Sequence, residues 1–400
     1  MKMRLIGLIL SVVMVASMVA GCSSSNTSNS ASSSTPKETA SAPASETPKP
    51  AGGGKVTVQF WHSLGGANNE YLDKVIKNFN DSHPEIEVVG TYQGGYDGTV
   101  TKLQQAIAGN NGPDMTMLER AYVQQFADAD VLEDLTPYME KSGLSKDAFV
   151  EGLMGHSFFN DKFVSLPFNR STPILYVNKD LLDELGMEVP QTWEDLKKVA
   201  NAMVVKEGGK IERYGLSMPY DTWYPMAMMT QAGGKFFTDD GKDVGFVDNG
   251  VGEKVFGFLK DLQKNGALFY PPQQQSSSIV GQMFTSGQLG MVFQSTGVMG
   301  GYEEAANFNM QAAFLPKEQV HAQPTGGANI SMLSSSKNKD AVWEFMHWLM
   351  TDPNGGQQFI LDSGYLPFTK AMGESKEIQD LWAKDPNRKV AFDQLQYAID

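Results

Sequence analysis

Cysteine and clustered histidine are both missing from this 400-residue chain. Its only cysteine is Cys22, so neither an intramolecular disulfide nor a cysteine-based metal site can organise the fold. The five histidines stand singly and show neither H-x-H nor H-x-x-x-H spacing, which are arrangements that hold zinc. They are His62, His83, His156, His321 and His347. We therefore expect no metal site and no cofactor.

Positive charge is also scarce. The chain has 32 lysines and arginines against 46 aspartates and glutamates, which gives a net charge of −14. A nucleic-acid-binding protein needs a basic surface, so we expect no nucleic-acid partner. The same balance argues against a general attraction to anionic membranes. An anionic small molecule could still bind, provided that its site supplies local hydrogen-bond donors against an unfavourable overall field.

Recognisable catalytic motifs are absent. The sequence contains no G-x-S-x-G, no Walker loop, no H-E-x-x-H and no Rossmann G-x-G-x-x-G pattern. We therefore expect a binding protein and not an enzyme. An enzyme acting on glycosides or phosphodiesters is kept as a competing hypothesis.

Only one long apolar run is present, from Leu5 to Ala20, and it follows Lys2 and Arg4. A basic start and a short apolar segment are typical of an export signal. The run ends in Val-Ala-Gly before Cys22, which is similar to the bacterial lipobox. We interpret residues 1–22 as a lipoprotein signal peptide with Cys22 as the lipidated residue; a signal peptide without lipidation is the alternative. Residues 23–54 are rich in Ser, Thr, Ala and Pro and predict a disordered tether.

The remaining sequence alternates between strand and helix patterns. Predicted strands at Val56–Trp61, Ile86–Val89 and Met115–Leu118 are separated by two amphipathic helical patterns. This alternation is typical of an α/β fold with an open parallel sheet, in which ligands bind beyond the carboxyl ends of the strands. Tyr96, in a predicted loop, and Glu119 both follow such strand ends.

The segment from Pro167 to Asp180 predicts a crossover between two parts of the fold. Its apolar run, Ile174 to Val177, reads as a strand, and Asn178 can cap a helix beginning at Lys179. In this interpretation Asn169 to Thr172 line a cleft between two lobes. An ordinary loop-to-strand junction is the alternative that this segment alone favours.

Aromatic and hydroxyl side chains at predicted loops and strand ends are suited to a polar solute. Aromatic rings can stack on a sugar or polyol, hydroxyls and backbone amides can bind its oxygens, and a carboxylate can accept from its hydroxyls. For each aromatic residue taken singly, packing is the competing role. The candidates are Trp61, Tyr96, Trp223, Tyr224 and Tyr365, with Ser171, Ser295, Gly327 and Glu119.

Several motifs together resemble one known family. The set is similar to the extracellular solute-binding proteins of ABC importers, in the branch that includes maltodextrin-binding and glycerol-3-phosphate-binding members, and it covers residues 55–400. The motifs are Phe60-Trp61-His62-Ser63, Gly112-Pro113-Asp114, Pro167-Phe168-Asn169, Ser171-Thr172-Pro173, Leu175-Tyr176, Asn178-Lys179-Asp180, Thr192-Trp193 and Gly364-Tyr365-Leu366-Pro367.

The resemblance implies a two-lobed periplasmic-binding-protein-like fold of type II. Each lobe would be a sheet flanked by helices, and a hinge of crossing segments would join them. The expected limits are residues 55–168 with 325–362 for lobe 1, residues 177–315 with 363–400 for lobe 2, and residues 169–176 and 316–324 for the crossovers.

The resemblance to glycerol-3-phosphate-binding members also implies six ligand contacts, at Tyr96, Glu119, Ser171, Ser295, Gly327 and Tyr365. Trp61 and Trp223 are further aromatic candidates. Arg170 replaces a small polar residue expected in the family, which either reinforces anion binding or indicates a different ligand. Because Asp400 precedes the position of a phosphate-binding arginine in that family, we expect the natural chain to continue with further helices of lobe 2.

The expected function is therefore a lipid-anchored receptor that captures glycerol-3-phosphate or a glycerophosphodiester for an ABC permease. A sugar or oligosaccharide receptor of the same importer class is the alternative. We expect a monomer on the extracellular face of the bacterial cell membrane, or on its periplasmic side in a Gram-negative organism.

Overall fold

The computed structural model describes residues 54–238, 243–247 and 249–399. The predicted signal peptide with Cys22 and the tether up to residue 53 lie outside these residues. Within them, strands and helices alternate along the chain. The strands are β1 (Val56–His62), β2 (Ile86–Tyr92), β3 (Met115–Glu119), β4 (Phe158–Phe159), β5 (Lys162–Phe163), β6 (Leu166–Ser171), β7 (Pro173–Asn178), β8 (Val205–Glu207), β9 (Lys210–Ser217), β10 (Leu268–Phe269), β11 (Leu289–Ser295), β12 (Met310–Ala313), β13 (Gln323–Pro324), β14 (Gly326–Met332) and β15 (Ala398–Ile399).

The helices flank these strands. They are α1 (Ala67–Ser82), α2 (Tyr96–Ala108), α3 (Arg120–Asp128), α4 (Thr136–Ser142), α5 (Lys179–Leu185), α6 (Trp193–Ala202), α7 (Trp223–Gln231), α8 (Val251–Lys264), α9 (Ser276–Thr285), α10 (Met299–Ala305), α11 (Lys339–Thr351), α12 (Gln358–Ser363), α13 (Lys370–Glu374), α14 (Lys376–Lys384) and α15 (Asn387–Gln394).

Two large sheets form the two lobes of this α/β fold. The first has the order β2-β1-β3-β14-β6, and the second has the order β10-β9-β11-β7-β12 with β8 paired to β9. The expected parallel pairing is correct for β1 with β2 and β3, whereas β14 runs antiparallel to both of its neighbours. In the second sheet β9, β10 and β11 are parallel and β7 is antiparallel.

The chain passes from the first sheet to the second at Thr172, the single residue between β6 and β7. Every residue of both strands is buried. Pro173 opens β7, where the missing N–H is tolerated because it lies at the strand's first position. After β12 in the second sheet, the chain returns to the first sheet, which it rejoins at β14. The numerical limits proposed for the two lobes stay a prediction.

Strand β7 is buried on both of its faces. Ile174 and Tyr176 pack in one large apolar cluster, which also contains Phe60 of the first sheet. Leu175 and Val177 pack on the opposite face, in a second cluster. Successive side chains of a strand point to opposite faces, so an unbroken apolar run is buried on both sides.

Local capping signals are confirmed at two helices. The Asn178 side chain accepts a hydrogen bond from the Leu181 backbone N–H, and α5 begins at Lys179 as expected. Thr192 with Asp195 three residues later is the sequence pattern of an N-cap, and the two residues form a reciprocal capping box at α6. Each side chain satisfies a backbone N–H that the helix start leaves without a helical partner.

Three loop or boundary predictions are wrong. Tyr96 is the first residue of α2 and not part of a loop, because the residue before it, Gly95, caps the helix without any side-chain signature. Trp223 and Tyr224 begin α7 instead of forming an aromatic loop. The apolar pair Met283 and Phe284 predicts the start of a short helix, but both lie near the end of α9, because the helix already begins in a serine-rich segment with little apolar periodicity.

Candidate functional site

Two tyrosines and an asparagine from distant parts of the sequence form the polar centre of the candidate site. The Asn169 side-chain nitrogen donates to the Tyr96 hydroxyl over 2.9 Å. Hydrogen bonds with Asn169 and Tyr96 also act on the Tyr365 phenol. Burial raises the pKa of both phenols, so each stays protonated at neutral pH and can donate a hydrogen bond.

Glu119 lies at the end of β3 and caps α3. One of its carboxylate oxygens accepts from the Ala121 backbone N–H at 2.9 Å, and the other lies 3.9 Å from Nε of Arg120. Burial raises the pKa of Glu119, while the Ala121 hydrogen bond and the nearby charges of Arg120 and Arg170 oppose that shift. Arg120 and Arg170 thus supply positive charge near the carboxylate, which can accept a hydrogen bond from a ligand hydroxyl.

Arg170 is almost fully buried in β6, where only 1% of it is exposed. Its guanidinium donates to Asn329 Oδ1 at 3.3 Å and to Thr325 Oγ1 at 2.9 Å. Asn329 in turn donates to Ser165 at 2.8 Å. The guanidinium thus joins β6 to β14 and to Thr325, the residue directly before β14, and its charge acts on Glu119 from within the lobe.

Ser171 and Gly327 lie in the β6–β14 ladder beside Arg170. Ser171 is paired with Gly326, and Gly327 with Arg170, next to a register shift at Ala328. Gly327 has φ of +85°, and a Cβ there would overlap the backbone carbonyl oxygen of Asn169. Only glycine fits, because that φ and that close approach both exclude a side chain.

Trp223, at the start of α7, and Ser295, at the end of β11, reach this region from the second lobe. The Trp223 indole packs so closely on Gly326 that an added Cβ would lie 2.5 Å from its Cζ2 atom. Ser295, at the end of β11, accepts from the Gly297 backbone N–H at 3.1 Å. The ring of Tyr365 lies directly against Gly297, so Ser295 is connected to the tyrosine pair through one tight turn.

Trp61 was predicted to contact the ligand, but its contacts lie apart from the polar network described above. Its partly buried ring packs on the apolar cluster of the first lobe that contains Leu118 and Val123. The Tyr224 hydroxyl donates to Gln294 at 3.0 Å. The other eight predicted residues are linked by the contacts and charge interactions described above. Asn169, Thr325 and Asn329 complete the polar network and were not among the predicted ligand contacts. Their signal in the sequence is a polar side chain inside an otherwise apolar strand or at its edge.

The structure also brings the two lobes together next to these residues. Asn68 at the start of α1 donates to the Gly297 carbonyl at 2.9 Å, and the Tyr71 hydroxyl lies 3.2 Å from the Glu304 carboxylate. Residues of α1 belong to the first lobe, and Gly297 and Glu304 to the second. Two surface cavities of about 460 and 570 Å³ lie elsewhere, against α13 and its neighbours.

The described part of the chain contains neither a cluster of metal-binding side chains nor a helix suited to span a membrane. Among those residues, acidic, histidine and cysteine side chains form no cluster of three able to hold a metal ion. None of the helices described is both long and apolar enough to cross a membrane.

Comparison with known proteins decides the family. The family of bacterial extracellular solute-binding proteins matches residues 74–389. The chain belongs to this family. Among curated relatives of this solute-binding protein is the sn-glycerol-3-phosphate-binding periplasmic protein UgpB of Escherichia coli O1:K1. It is 26% identical over 362 residues, covering 85% of this chain and 80% of the relative.

Solved structures of other solute-binding proteins share the two-lobed fold. UgpB from Mycobacterium tuberculosis, in complex with glycerophosphocholine, superposes with a TM-score of 0.76 at 22% identity and covers 87% of this chain and 88% of that one. The GacH receptor of Streptomyces glaucescens, studied with acarbose, gives 0.76 at 23% identity, with 86% and 87% covered. The expected fold class is confirmed.

Proposed function

We propose that this solute-binding protein captures glycerol-3-phosphate or a glycerophosphodiester between its lobes and delivers it to an ABC permease. Neither step requires a cofactor or catalysis. The residues proposed to contact the solute are Tyr96, Glu119, Ser171, Ser295, Gly327 and Tyr365, with Trp223 beside them. The curated UgpB relative, which is named for binding sn-glycerol-3-phosphate, supports this choice of solute.

The observation that carries the proposal is that phenol hydroxyl donors and a carboxylate acceptor lie close together. Tyr96 and Tyr365 share Asn169, while Glu119 lies near enough to influence the Tyr96 phenol electrostatically. Phenol and hydroxyl donors suit phosphate oxygens, and the carboxylate suits the hydroxyls of a glycerol unit.

Arg170 supports an anionic solute in a specific way. Its buried guanidinium is committed to Asn329 and Thr325, so we assign it no direct phosphate contact. A cation inside the lobe nevertheless adds positive potential close to Glu119. That potential partly offsets the chain's net charge of −14 at the place where an anion would enter.

Calorimetric titration of the full chain with glycerol-3-phosphate, glycerophosphocholine and maltose tests the choice of solute. We expect heat with a phosphate-bearing ligand and none with maltose. Heat with maltose alone would replace the proposed solute by the alternative class. Chromogenic glycoside and phosphodiester substrates, incubated with the same preparation, should give no turnover.

A sugar or oligosaccharide is the second candidate solute. The observation that favours it is Trp223, whose indole lies against Gly326 beside the polar residues and could stack on a pyranose. The GacH receptor, which was studied with acarbose, has the same fold. Trp223→Ala should weaken a sugar much more than glycerol-3-phosphate, because a small polyol offers no ring face.

Closure and anchoring complete the proposed cycle. The contacts of Asn68 and Tyr71 with the second lobe would form when the solute is enclosed, and hinge motion would break them. Lipidation at Cys22 would hold the protein, as a monomer, on the extracellular or periplasmic face of the membrane. Cys22→Ala should move the mature protein from the membrane fraction to the soluble fraction; unchanged membrane retention would contradict the anchor.

A further inference from the structure

Asn169 lies at the meeting point of the candidate site; the sequence predicted it to line the cleft but not to contact a ligand. It is an interior residue of β6 and is completely buried. Its side-chain nitrogen donates to Tyr96 over 2.9 Å and also acts on the phenol of Tyr365. One amide group therefore sets the positions of two tyrosines, one at the start of α2 and the other after α12.

The other end of the same amide is not satisfied within the described chain. The Asn169 Oδ1 atom is buried and has no hydrogen-bond partner there. Buried carbonyl oxygens of side chains are normally paired, because an unpaired acceptor gives up its hydrogen bond to water and gains nothing in return. An unpaired acceptor next to two phenols therefore indicates a site that receives a hydrogen-bond donor from outside the chain.

The backbone at Asn169 is held as firmly as its side chain. Its carbonyl oxygen lies where a Cβ on Gly327 would be, and the strand pairs with Ala328 of β14. The amide therefore cannot withdraw from the tyrosines by a shift of the strand. Such rigidity is what a binding residue needs if its hydrogen bonds are to be ready before the ligand arrives.

We propose that Asn169 binds the solute directly: its side-chain oxygen accepts a hydrogen bond from a solute hydroxyl while its nitrogen holds Tyr96 and Tyr365 as neighbouring donors. The inference rests on the proposed function, since it takes the cleft as the solute site. It adds a requirement for the ligand, which must carry a free hydroxyl beside the groups that the tyrosines bind.

Substitutions at this position separate the two roles of the amide. Asn169→Leu keeps the approximate size and removes both donor and acceptor. Asn169→Asp keeps acceptors but loses the donor, and it adds a negative charge that opposes an anionic ligand. Asn178→Leu is the matched control, because Asn178 is also a buried asparagine, but it lies at the end of β7, where it caps α5 away from Tyr96 and Tyr365.

The test is calorimetry on the full chain with glycerol-3-phosphate and with its two deoxy analogues, propane-1,3-diol phosphate and propane-1,2-diol 1-phosphate. In the unmodified protein, loss of the hydroxyl that Asn169 accepts should weaken binding roughly tenfold to a hundredfold. In Asn169→Leu, glycerol-3-phosphate itself should bind that much more weakly, and removal of the same hydroxyl should cost nothing further. Asn178→Leu should lower the melting temperature while keeping the preference for the full ligand.

Each outcome bears on the assignment. If Asn169→Leu still discriminates against both deoxy analogues as strongly as the unmodified protein, the side-chain oxygen is not the acceptor and the inference fails. If Asn169→Leu does not fold, Asn169→Ala also removes both donor and acceptor and gives the same comparison. Asn169→Asp keeps acceptors, so it should still discriminate against the deoxy analogue, and its affinity should partly recover at low pH as the carboxyl group becomes protonated. No heat from the unmodified protein with glycerol-3-phosphate would overturn the proposed solute instead; maltose is then titrated, and a loss specific to the Asn169 variants still supports the assignment.

Discussion

The two sheets contribute to the candidate site in different ways. The first sheet presents polar side chains that are already bonded to one another, as in the contacts of Asn169 with Tyr96 and of Arg170 with Asn329. The second lobe contributes a helix start, where Trp223 packs on Gly326, and a tight turn, where Gly297 packs against Tyr365. A prearranged polar surface and a close-fitting aromatic one suit different tasks. We infer that the first lobe recognises the solute's chemistry and that the second encloses it.

Gly327→Ala should have the largest effect, because it disrupts the close packing of two backbone segments in the first lobe. The added Cβ would overlap the Asn169 carbonyl, and φ of +85° is itself unfavourable for alanine. We expect a loss of roughly 3 kcal/mol or more of unfolding free energy, together with loss of ligand binding. Thermal and denaturant unfolding measure the first, and calorimetry the second.

A helical glycine provides the control for that substitution. Gly257 lies inside α8 with no atom near its Cβ position, so Gly257→Ala should stabilise the protein by about 0.5–1 kcal/mol and leave affinity unchanged. Equal stability of Gly327→Ala and the unmodified protein would show that β6 and β14 can separate without penalty, contrary to the rigid first lobe described above.

Gly326→Ala, one residue away, tests how closely Trp223 of the second lobe packs on the first lobe. Here the added Cβ meets the side chain of Trp223 and not backbone, so the indole can turn aside. We expect about 1 kcal/mol of lost stability but an affinity roughly tenfold weaker, because the lobes can no longer close to the same distance. A loss of stability as large as that of Gly327→Ala would mean that the two glycines play the same role.

Glu119→Gln should separate stability from binding. Burial raises the pKa of Glu119, so its folded state favours the protonated form. The stability that this group contributes is present below its unfolded pKa and is lost as pH rises through the folded pKa. At neutral pH the glutamine variant should therefore be more stable by about 0.5–1 kcal/mol, while it binds the solute more weakly. The stability gain should vanish at acidic pH, and a gain independent of pH would contradict this account.

Tyr71→Phe should have the smallest effect, at a contact between the lobes that is partly exposed to solvent. Loss of the hydrogen bond to Glu304 should cost less than about 1 kcal/mol and weaken binding by no more than a few fold. The pKa of Tyr71 is raised to about 12 by partial burial and by Glu304. Its contribution should therefore persist below pH 10 and disappear as pH rises toward 12, a dependence that the phenylalanine variant should lack.

Local patterns predicted the local structure well. The strand at Val56, the α1 helix before Pro84 and the cap at Asn178 depend on residues close together in sequence, and all three are confirmed. The start of α2 at Tyr96 was missed because its glycine cap carries no side-chain signal. The antiparallel insertion of β14 was missed because strand pairing at long range leaves no local periodicity.

The site was harder to predict than the fold. Residue types and their order indicated Tyr96, Glu119 and Tyr365 through a resemblance, and Asn169 as a residue lining the cleft, but not the hydrogen bonding of this asparagine to the tyrosines. Asn169 and Tyr96 are 73 positions apart, and only the assembled first sheet brings them together. The burial of Arg170 was equally out of reach, because its partners Asn329 in β14 and Thr325 just before β14 follow all the main strands of the second sheet in the chain.

The position of β14 has a consequence for the timing of folding. This strand lies between β3 and β6, yet all the main strands of the second sheet precede it in the chain. The first sheet therefore cannot be completed until residue 332 has been synthesised, and its closing contacts span the longest sequence separations, which slows folding. For a chain that carries the export signal proposed here, this order keeps the first lobe unfinished during most of synthesis, when an unfolded polypeptide can still be threaded through a translocation channel.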